Sequence, residues 1–279
     1  MDFIDLHIHT TASDGSSTPV EVVDEALETG LYAIAITDHD TVAAVPYAIE
    51  AARGFPLKVI SGVEISAQCG TRELHVLGYN IDYENQLLVN TLSDVAALRY
   101  ERNEKMCELL RKEGIKITLD DLYEHSHSHV VTRADMARYL VDKRYVTSES
   151  EAYGKYIGTD APCYIPRFKL DIFDVYKLIR HAGGVASLAH PVQYRMTDDE
   201  YSELFHFLKR LGFSCIEAIH SDNGPNDEIR FTELAVSNGL KITGGSDYHG
   251  DLKPDIRIGT GKGSLMVPKS VLANIGICI

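Results

Sequence analysis

Seven short apolar segments recur along this chain, and almost every one stops on a histidine or an acid. Residues 3–9 alternate, with Ile4, Leu6 and Ile8 on one side of a strand and Asp5, His7 and His9 on the other. Segments 32–37, 57–64, 73–79, 184–190, 213–220 and 240–249 carry the same strand character. Helical segments lie between them. Thr18-Pro19 with Glu21 predicts an N-cap, a first-turn proline and a capping-box acid for a helix that Gly30 closes. Further helices are predicted over 41–52, 171–182 and 227–238. Strands alternating with helices predict an α/β fold with a parallel sheet, and seven strands come close to a closed barrel.

One stretch departs from this rhythm. Residues 91–165 show helical periodicity with little strand signal and hold 11 of the 27 basic residues. The expected organisation is a discontinuous barrel, 1–90 and 166–279, with a mainly helical insertion, 91–165, capping the active site.

The strand ends carry the chemistry. His7 and His9 end the first strand, His39 follows the second, Glu64 ends the third and His75 lies in the fourth. His190 and His220 end the next two, and Asp247 and His249 end the last. In a parallel barrel these ends share one mouth, where active sites form. His7-x-His9 sets two imidazoles on one strand face, so both can hold one ion. Asp14, in the Ser13-Asp14-Gly15 turn, can fold back over the mouth. Glu64 has two oxygens and can bridge. A nitrogen-rich set with some oxygen suits Zn²⁺, Mn²⁺ or Fe²⁺ better than Mg²⁺ or Ca²⁺. Nine donors, His7, His9, Asp14, His39, Glu64, His75, His190, Asp247 and His249, are too many for one ion, so two to three divalent ions are expected.

Composition narrows the partners. A formal net charge of −14, from 27 basic and 41 acidic residues, argues against a duplex nucleic acid surface and favours small substrates. Five cysteines without a CxxC pair read as reduced core thiols of a cytoplasmic protein. Residues 1–10 lack a basic region followed by an apolar run, so no secretory leader is expected, and no apolar stretch reaches membrane-spanning length.

The segments DLHIHTTASDG (5–15), ITDHDT (36–41), GVEIS (62–66), HVLGY (75–79), SLAHP (187–191) and GGSDYHG (244–250), in this order, resemble the motif set of the PHP (polymerase and histidinol phosphatase) superfamily. The resemblance covers the barrel; the insertion is similar to that of small bacterial PHP phosphoesterases. It implies a distorted (β/α)₇ barrel with three metal ions. His7, His9, Glu64 and Asp247 would hold the first ion, and Asp14, His39 and His249 the second. Glu64, His75 and His190 would hold the third.

Such a centre suits phosphate-ester hydrolysis, by attack of a metal-bridging hydroxide held through His7, His9, Asp14 and Asp247. His220 is a candidate proton donor. The alternatives are an amidohydrolase-type C–N hydrolase, whose metals a lysine carbamate usually bridges, and a non-enzymatic metal-stabilised interaction domain. Here Glu64 stands at the bridging position, and no lysine ends a predicted strand.

The insertion supplies the substrate clue. Leu92, Val95, Ala96, Met106, Leu109 and Leu110 form an apolar helical stripe, which Arg99, Arg102 and Asn103 interrupt. These three would bind substrate phosphate, unless they merely make surface ion pairs with nearby acids. Arg133 opens a helix with Thr132 as N-cap and Asp135 at the third position, a second candidate anion site. Two anion points suggest a 3′,5′-bisphosphate nucleotide, the end of a short oligonucleotide or a cyclic sugar phosphate. His125, His127 and His129 are expected in a solvated loop, and His181 and His206 on helix surfaces. Asp5 and Asp38, next to ligands, are expected to orient imidazoles. Gly244-Gly245 is expected to permit close backbone approach at the mouth.

Overall fold

The computed structural model describes residues 2–126 and 130–278, arranged as two compact units: Met1–Asn90 with Leu170–Ile279, and Thr91–Lys169. The first unit begins β1 (Phe3–Ile8), α1 (Pro19–Thr29), β2 (Ala33–Ile36), α2 (Val45–Ala51), β3 (Lys58–Cys69) and β4 (Arg72–Tyr79). The long helix α3 (Gln86–Lys112) leads into the second unit, which continues with α4 (Leu119–Ser126), α5 (Arg133–Asp142) and α6 (Glu149–Ala152). The chain then returns through β5 (Leu170–Asp171), α7 (Ile172–His181), β6 (Val185–Leu188), α8 (Asp198–Leu211) and β7 (Cys215–His220). It ends with α9 (Asp227–Ser237), β8 (Lys241–Gly245), β9 (Val267–Pro268) and α10 (Ser270–Ile275).

Local chemistry explains the helix ends. Thr18 and Glu21 form a reciprocal capping box at α1, and Gly30 closes it in the left-handed region, as the sequence predicts. The helix expected over 41–52 is shorter, because Ala44 caps it without a side-chain hydrogen bond and Pro46 fixes its first turn.

The sheet runs β8-β7-β6-β4-β3-β2-β1-β9, with β5 paired to β3. It returns on itself: His7 O accepts from Asp247 N at 2.9 Å, and His9 N donates to Tyr248 O at 3.0 Å, just past β8. This gives the nearly closed, barrel-like sheet that the strand count implies. Its direction is less uniform than expected. β3 pairs antiparallel with β4, and β4 antiparallel with β6. β3 runs five residues beyond Glu64 and turns through Gly70, at φ 59°, into β4. Glu64 therefore lies within this hairpin rather than at a parallel strand end, while His75 lies inside its strand as expected. A two-residue turn allows only the antiparallel return.

Ile4, Leu6, Ala33, Ala35, Ile60, Leu77, Tyr79, Cys215 and Ile219 pack in one core, with Val271, Leu272 and Ile275 of α10. Side chains from five strands meeting this way require a curled sheet. A second core sets Ile34 and Ile36 against Val22, Val23 and Ala26 of α1 and Val45 and Ala48 of α2. The second unit has its own core, including Met106, Leu110, Leu122, Met136 and Leu140. Cys107, Cys163 and Cys215 are buried free thiols, but Cys69 is half-buried and Cys278 exposed, so only three are core residues. Among the described residues no helix is long and apolar enough to cross a membrane.

Candidate metal centre

Glu64 sits at the middle of the histidine cluster and is almost fully buried. Its two oxygens face different partners. Oε2 lies 3.3 Å from His7 Nε2, 3.3 Å from His9 Nε2 and 3.2 Å from His39 Nδ1. Oε1 lies 3.1 Å from His75 Nδ1 and 2.9 Å from His190 Nε2. One carboxylate thus faces five imidazoles from four separate stretches of chain.

Asp247 divides its oxygens similarly. Oδ1 is 3.4 Å from His9 Nε2, 3.5 Å from His249 Nδ1 and 3.6 Å from His7 Nε2. Oδ2 lies 2.6 Å from Lys253 Nζ and 3.5 Å from His220 Nε2. Asp14 completes the cluster from its turn, with Oδ1 3.4 Å from His9 Nδ1 and 3.5 Å from His249 Nε2, and Oδ2 3.9 Å from His39 Nε2. All nine predicted donors therefore meet in one place. Eight of them fall into overlapping groups, His9-Asp14-His39-His249, His7-His9-Asp247 and His39-Glu64-His75, each compact enough to share an ion, as is His7 with Glu217 and His220; His190 joins through Glu64 Oε1.

Two glycines permit this crowding. A Cβ on Gly245 would come within 2.4 Å of His7 Cβ, and one on Gly15 within 2.5 Å of the His9 carbonyl oxygen. The close approach expected at Gly244-Gly245 is thereby explained.

The donor set fits divalent metal. His7 Nε2, His9 Nε2, Asp14 Oδ1, His39 Nδ1 and Glu64 Oε2 are buried and have no hydrogen-bond partner. Buried polar atoms are normally paired, so five such atoms facing one another are donors arranged for an ion. Partners also fix two tautomers. Glu217 accepts from His7 Nδ1, and the Asp247 carbonyl accepts from His249 Nδ1 at 2.9 Å, which makes Nε2 of each the nitrogen that would hold an ion.

The electrostatics are divided. Burial opposes charge on His9, but Asp247 and Glu64 outweigh it and raise its pKa to about 9. Burial opposes charge on His7 too, and Glu217, Glu64 and Asp247 raise its pKa well above the ordinary value. Burial wins at His39, lowered to about 3, and at His249, lowered to about 4. Burial would raise the Glu64 and Asp247 carboxyls; the surrounding histidines, with Lys253 at Asp247, hold both well below their usual range.

Other expectations need correction. Asp5 does not touch an imidazole: it accepts from the backbone of His7 at 3.2 Å, Ser246 at 2.8 Å and Gly259 at 2.7 Å. Asp38 accepts from Thr10 N and Oγ1, both at 2.8 Å, and from Ser13 Oγ, which lies 3.5 Å from His9 Nδ1. Both acids hold the loops that carry ligands. His125 belongs to α4 and pairs with Asp142 at 2.7 Å, so it is not in a loop; His127 and His129 lie outside the described residues. His181 and His206 are exposed on α7 and α8, as expected. His220 is buried and its Nδ1 accepts from Asp222 N at 3.0 Å, so its proton sits on Nε2, toward Asp247.

Two residues of this region carry no motif. Glu217 is a buried acid among the apolar residues of a strand that ends on His220, a signal visible in the sequence. Lys253 lies in the segment after β8, and only the fold brings it to Asp247.

In the second unit, Arg102 Nε donates to Ile165 O at 2.9 Å and its Nη1 to Asn103 Oδ1 at 2.7 Å, while Asn103 Nδ2 donates to Val131 O at 2.8 Å. Arg102 and Asn103 are thus tied to each other and to backbone carbonyls. Burial, followed by Arg133 and Arg167 and then Arg99, lowers the Arg102 pKa to about 10. Arg133 rests over Tyr164 at 5.1 Å and Tyr153 at 5.8 Å, at the head of a helix with the predicted Thr132–Asp135 capping box.

The PHP domain family model matches residues 5–211. The chain belongs to the PHP domain family. It is 35% identical over 88% of its length to the 5′-3′ exoribonuclease Rnm of Escherichia coli, covering 84% of that protein. It is 32% identical over 88% of its length to a 3′,5′-nucleoside bisphosphate phosphatase of Chromobacterium violaceum, covering 87% of that protein. The fold is shared with a structure from Bifidobacterium adolescentis assigned as a metal-dependent phosphoesterase, with a TM-score of 0.82, 28% identity and coverage of 98% and 94% of the two chains.

Proposed function

We propose that this PHP protein is a metal-dependent phosphoesterase that hydrolyses small nucleotide-type phosphate esters, a 3′,5′-bisphosphate nucleotide or the end of a short oligonucleotide. The observation that carries this reading is the division of Glu64, with three histidines on one oxygen and two on the other. A bridging carboxylate between donor groups suits a centre of two to three ions, and the nitrogen-rich set suits Mn²⁺, Zn²⁺ or Fe²⁺. His7, His9, Glu64 and Asp247 would hold one ion, Asp14, His39 and His249 a second, and Glu64, His75 and His190 a third. Bound divalent cations activate water at neutral pH and offset charge on phosphoryl oxygens.

The chain's own residues supply the rest. Asp14, Glu64 and Asp247 stay ionised near neutral pH. His39 and His249 are already neutral and present lone pairs without losing a proton. His220 carries a proton on Nε2 against Asp247 Oδ2 and steadies that carboxylate. Lys253, partly exposed beside the same oxygen, offers a cation to a phosphate.

The names of the two relatives support a nucleotide-type substrate. Arg99, Arg102, Asn103 and Arg133 are proposed to receive its non-reacting anionic part. Burial, and after it the neighbouring Arg133 and Arg167, lowers Arg102 to about 10, and a bound anion would offset both. Glu64 at the bridging position favours this over the lysine-bridged amidohydrolase reading.

The test is turnover, with Mn²⁺, of four esters: an aryl phosphate, a nucleoside 3′,5′-bisphosphate, a 5′-phosphorylated trinucleotide and a cyclic sugar phosphate. The expected result is the highest kcat/KM for phosphate release from the bisphosphate or for release of phosphate or a mononucleotide from the trinucleotide. No hydrolysis of any of the four esters overturns the reading.

A further inference from the structure

We propose that Glu217 is a positioning residue that braces two ligand groups at once, holding His7 by its ring and His190 by its backbone on either side of Glu64. This rests on the metal-centre reading above. Glu217 projects from β7 and is fully buried. Its Oε1 and Oε2 lie 3.0 and 3.1 Å from His7 Nδ1, and Oε2 accepts from His190 N–H at 2.7 Å.

Each contact has a separate consequence. A carboxylate can only accept, so a hydrogen is held on His7 Nδ1, and Nε2, facing Glu64 Oε2, is the nitrogen whose proton an ion would displace. His190 has φ 27° and ψ 61°, a conformation that L residues rarely adopt and that must be held by its surroundings. Its backbone N–H is held by Glu217, and its Nε2 meets Glu64 Oε1 at 2.9 Å. His7 and His190 thus address opposite oxygens of the bridging acid and share one support. Both Glu217 oxygens are already occupied by these donors, which fits a support better than a ligand.

Glu217→Gln separates this role from plain packing, because the amide has nearly the same shape but one donor end. Its NH₂ must face either the His190 N–H, losing that bond, or His7 Nδ1. In the second case Nδ1 loses its acceptor and the ring hydrogen is favoured on Nε2, the nitrogen that would hold the ion.

The experiment is Mn²⁺ and Zn²⁺ binding by wild type, Glu217→Gln and Glu217→Asp, read as chelator-competition isotherms. Thermal unfolding of each metal-free protein shows that it is folded. The expected result is a loss of roughly 10–100-fold in affinity for two ions together, the range typical of removing a residue that supports metal ligands. The ion assigned to Asp14, His39 and His249 should be unaffected. Should the glutamine variant fail to fold, Glu217→Asp makes the same comparison with a shorter acceptor. Unchanged affinities, weakening of one ion alone, or equal weakening of every ion overturn the brace while leaving the metal centre standing. A wild-type protein that binds no ion overturns both.

Discussion

Glu64 Oε1 lies 2.9 Å from His190 Nε2, while Oε2 of the same carboxylate lies 3.3 Å from His7 Nε2. One acid therefore spans two histidines that come from strand ends far apart in sequence. Glu64→Gln keeps the shape but puts an NH₂ group against one set of imidazoles. The variant should lose at least one tightly held ion. It should also lose about 10²-fold or more in turnover, the scale of removing one electrostatic stabiliser of a transition state. Metal analysis beside kinetics checks this; wild-type values in both would show that Glu64 does not bridge.

His7→Ala and Asp247→Ala should each cost orders of magnitude in kcat while the fold survives, because these residues meet at the centre rather than fill a core. His125→Ala is the contrast. It removes a partly exposed pair with Asp142, 2.7 Å long, of a kind worth about 0–1 kcal/mol, and should leave turnover unchanged. Circular dichroism and steady-state kinetics on the three variants decide. A large loss in His125→Ala would bring that histidine into the functional site.

How much of this could be read beforehand follows from what periodicity encodes. Alternation places His7 and His9 on one face and marks the strand rhythm, so the donors and the curled sheet are legible. Direction is not encoded by alternation. The antiparallel β3–β4 hairpin, and with it the mid-strand position of Glu64, depends on the short turn at Gly70. Adjacency in sequence also misleads. Asp5 stands two residues from His7, yet its carboxylate reaches Ser246 and Gly259, brought close only by closure of the sheet. Glu217 was visible as an acid in an apolar strand, but its partners were not. Lys253 had no local signal.

Metal affinity should rise with pH up to about 9. His9 is protonated below that value in the metal-free protein, so an ion must displace its proton. Stability of the metal-free fold has the opposite alkaline limb. The raised His9 pKa contributes stability that is complete below about 6.5 and lost as pH climbs through about 9. His39 and His249 are depressed, so their contribution is present above about 6.5 and lost as pH falls through about 4 and then about 3. Thermal unfolding of metal-free protein across this range should therefore peak near pH 6.5. A metal-free stability that rises steadily to pH 9 would contradict the assigned histidine states.

Arg133→Ala should separate substrates. Loss of a desolvated guanidinium–phosphate contact costs roughly 2–5 kcal/mol by analogy with buried charge pairs at interfaces. kcat/KM for a nucleoside 3′,5′-bisphosphate should fall by about 30-fold or more, and that for an aryl phosphate far less, since remote binding energy positions the reacting group. Arg102→Ala should show the same asymmetry, with some loss of stability because Arg102 also ties Ile165 and Asn103. Equal losses on both esters would indicate a folding or metal-loading defect. No loss on either would remove these arginines from substrate recognition.

The most direct measurement is the metal content of purified protein after loading with Mn²⁺ and desalting, read as equivalents per chain alongside phosphate release. Nine donors grouped around a divided Glu64 predict two to three equivalents and activity that chelation abolishes and Mn²⁺ restores. One equivalent or none, or ester hydrolysis that persists after complete chelation, would contradict the account.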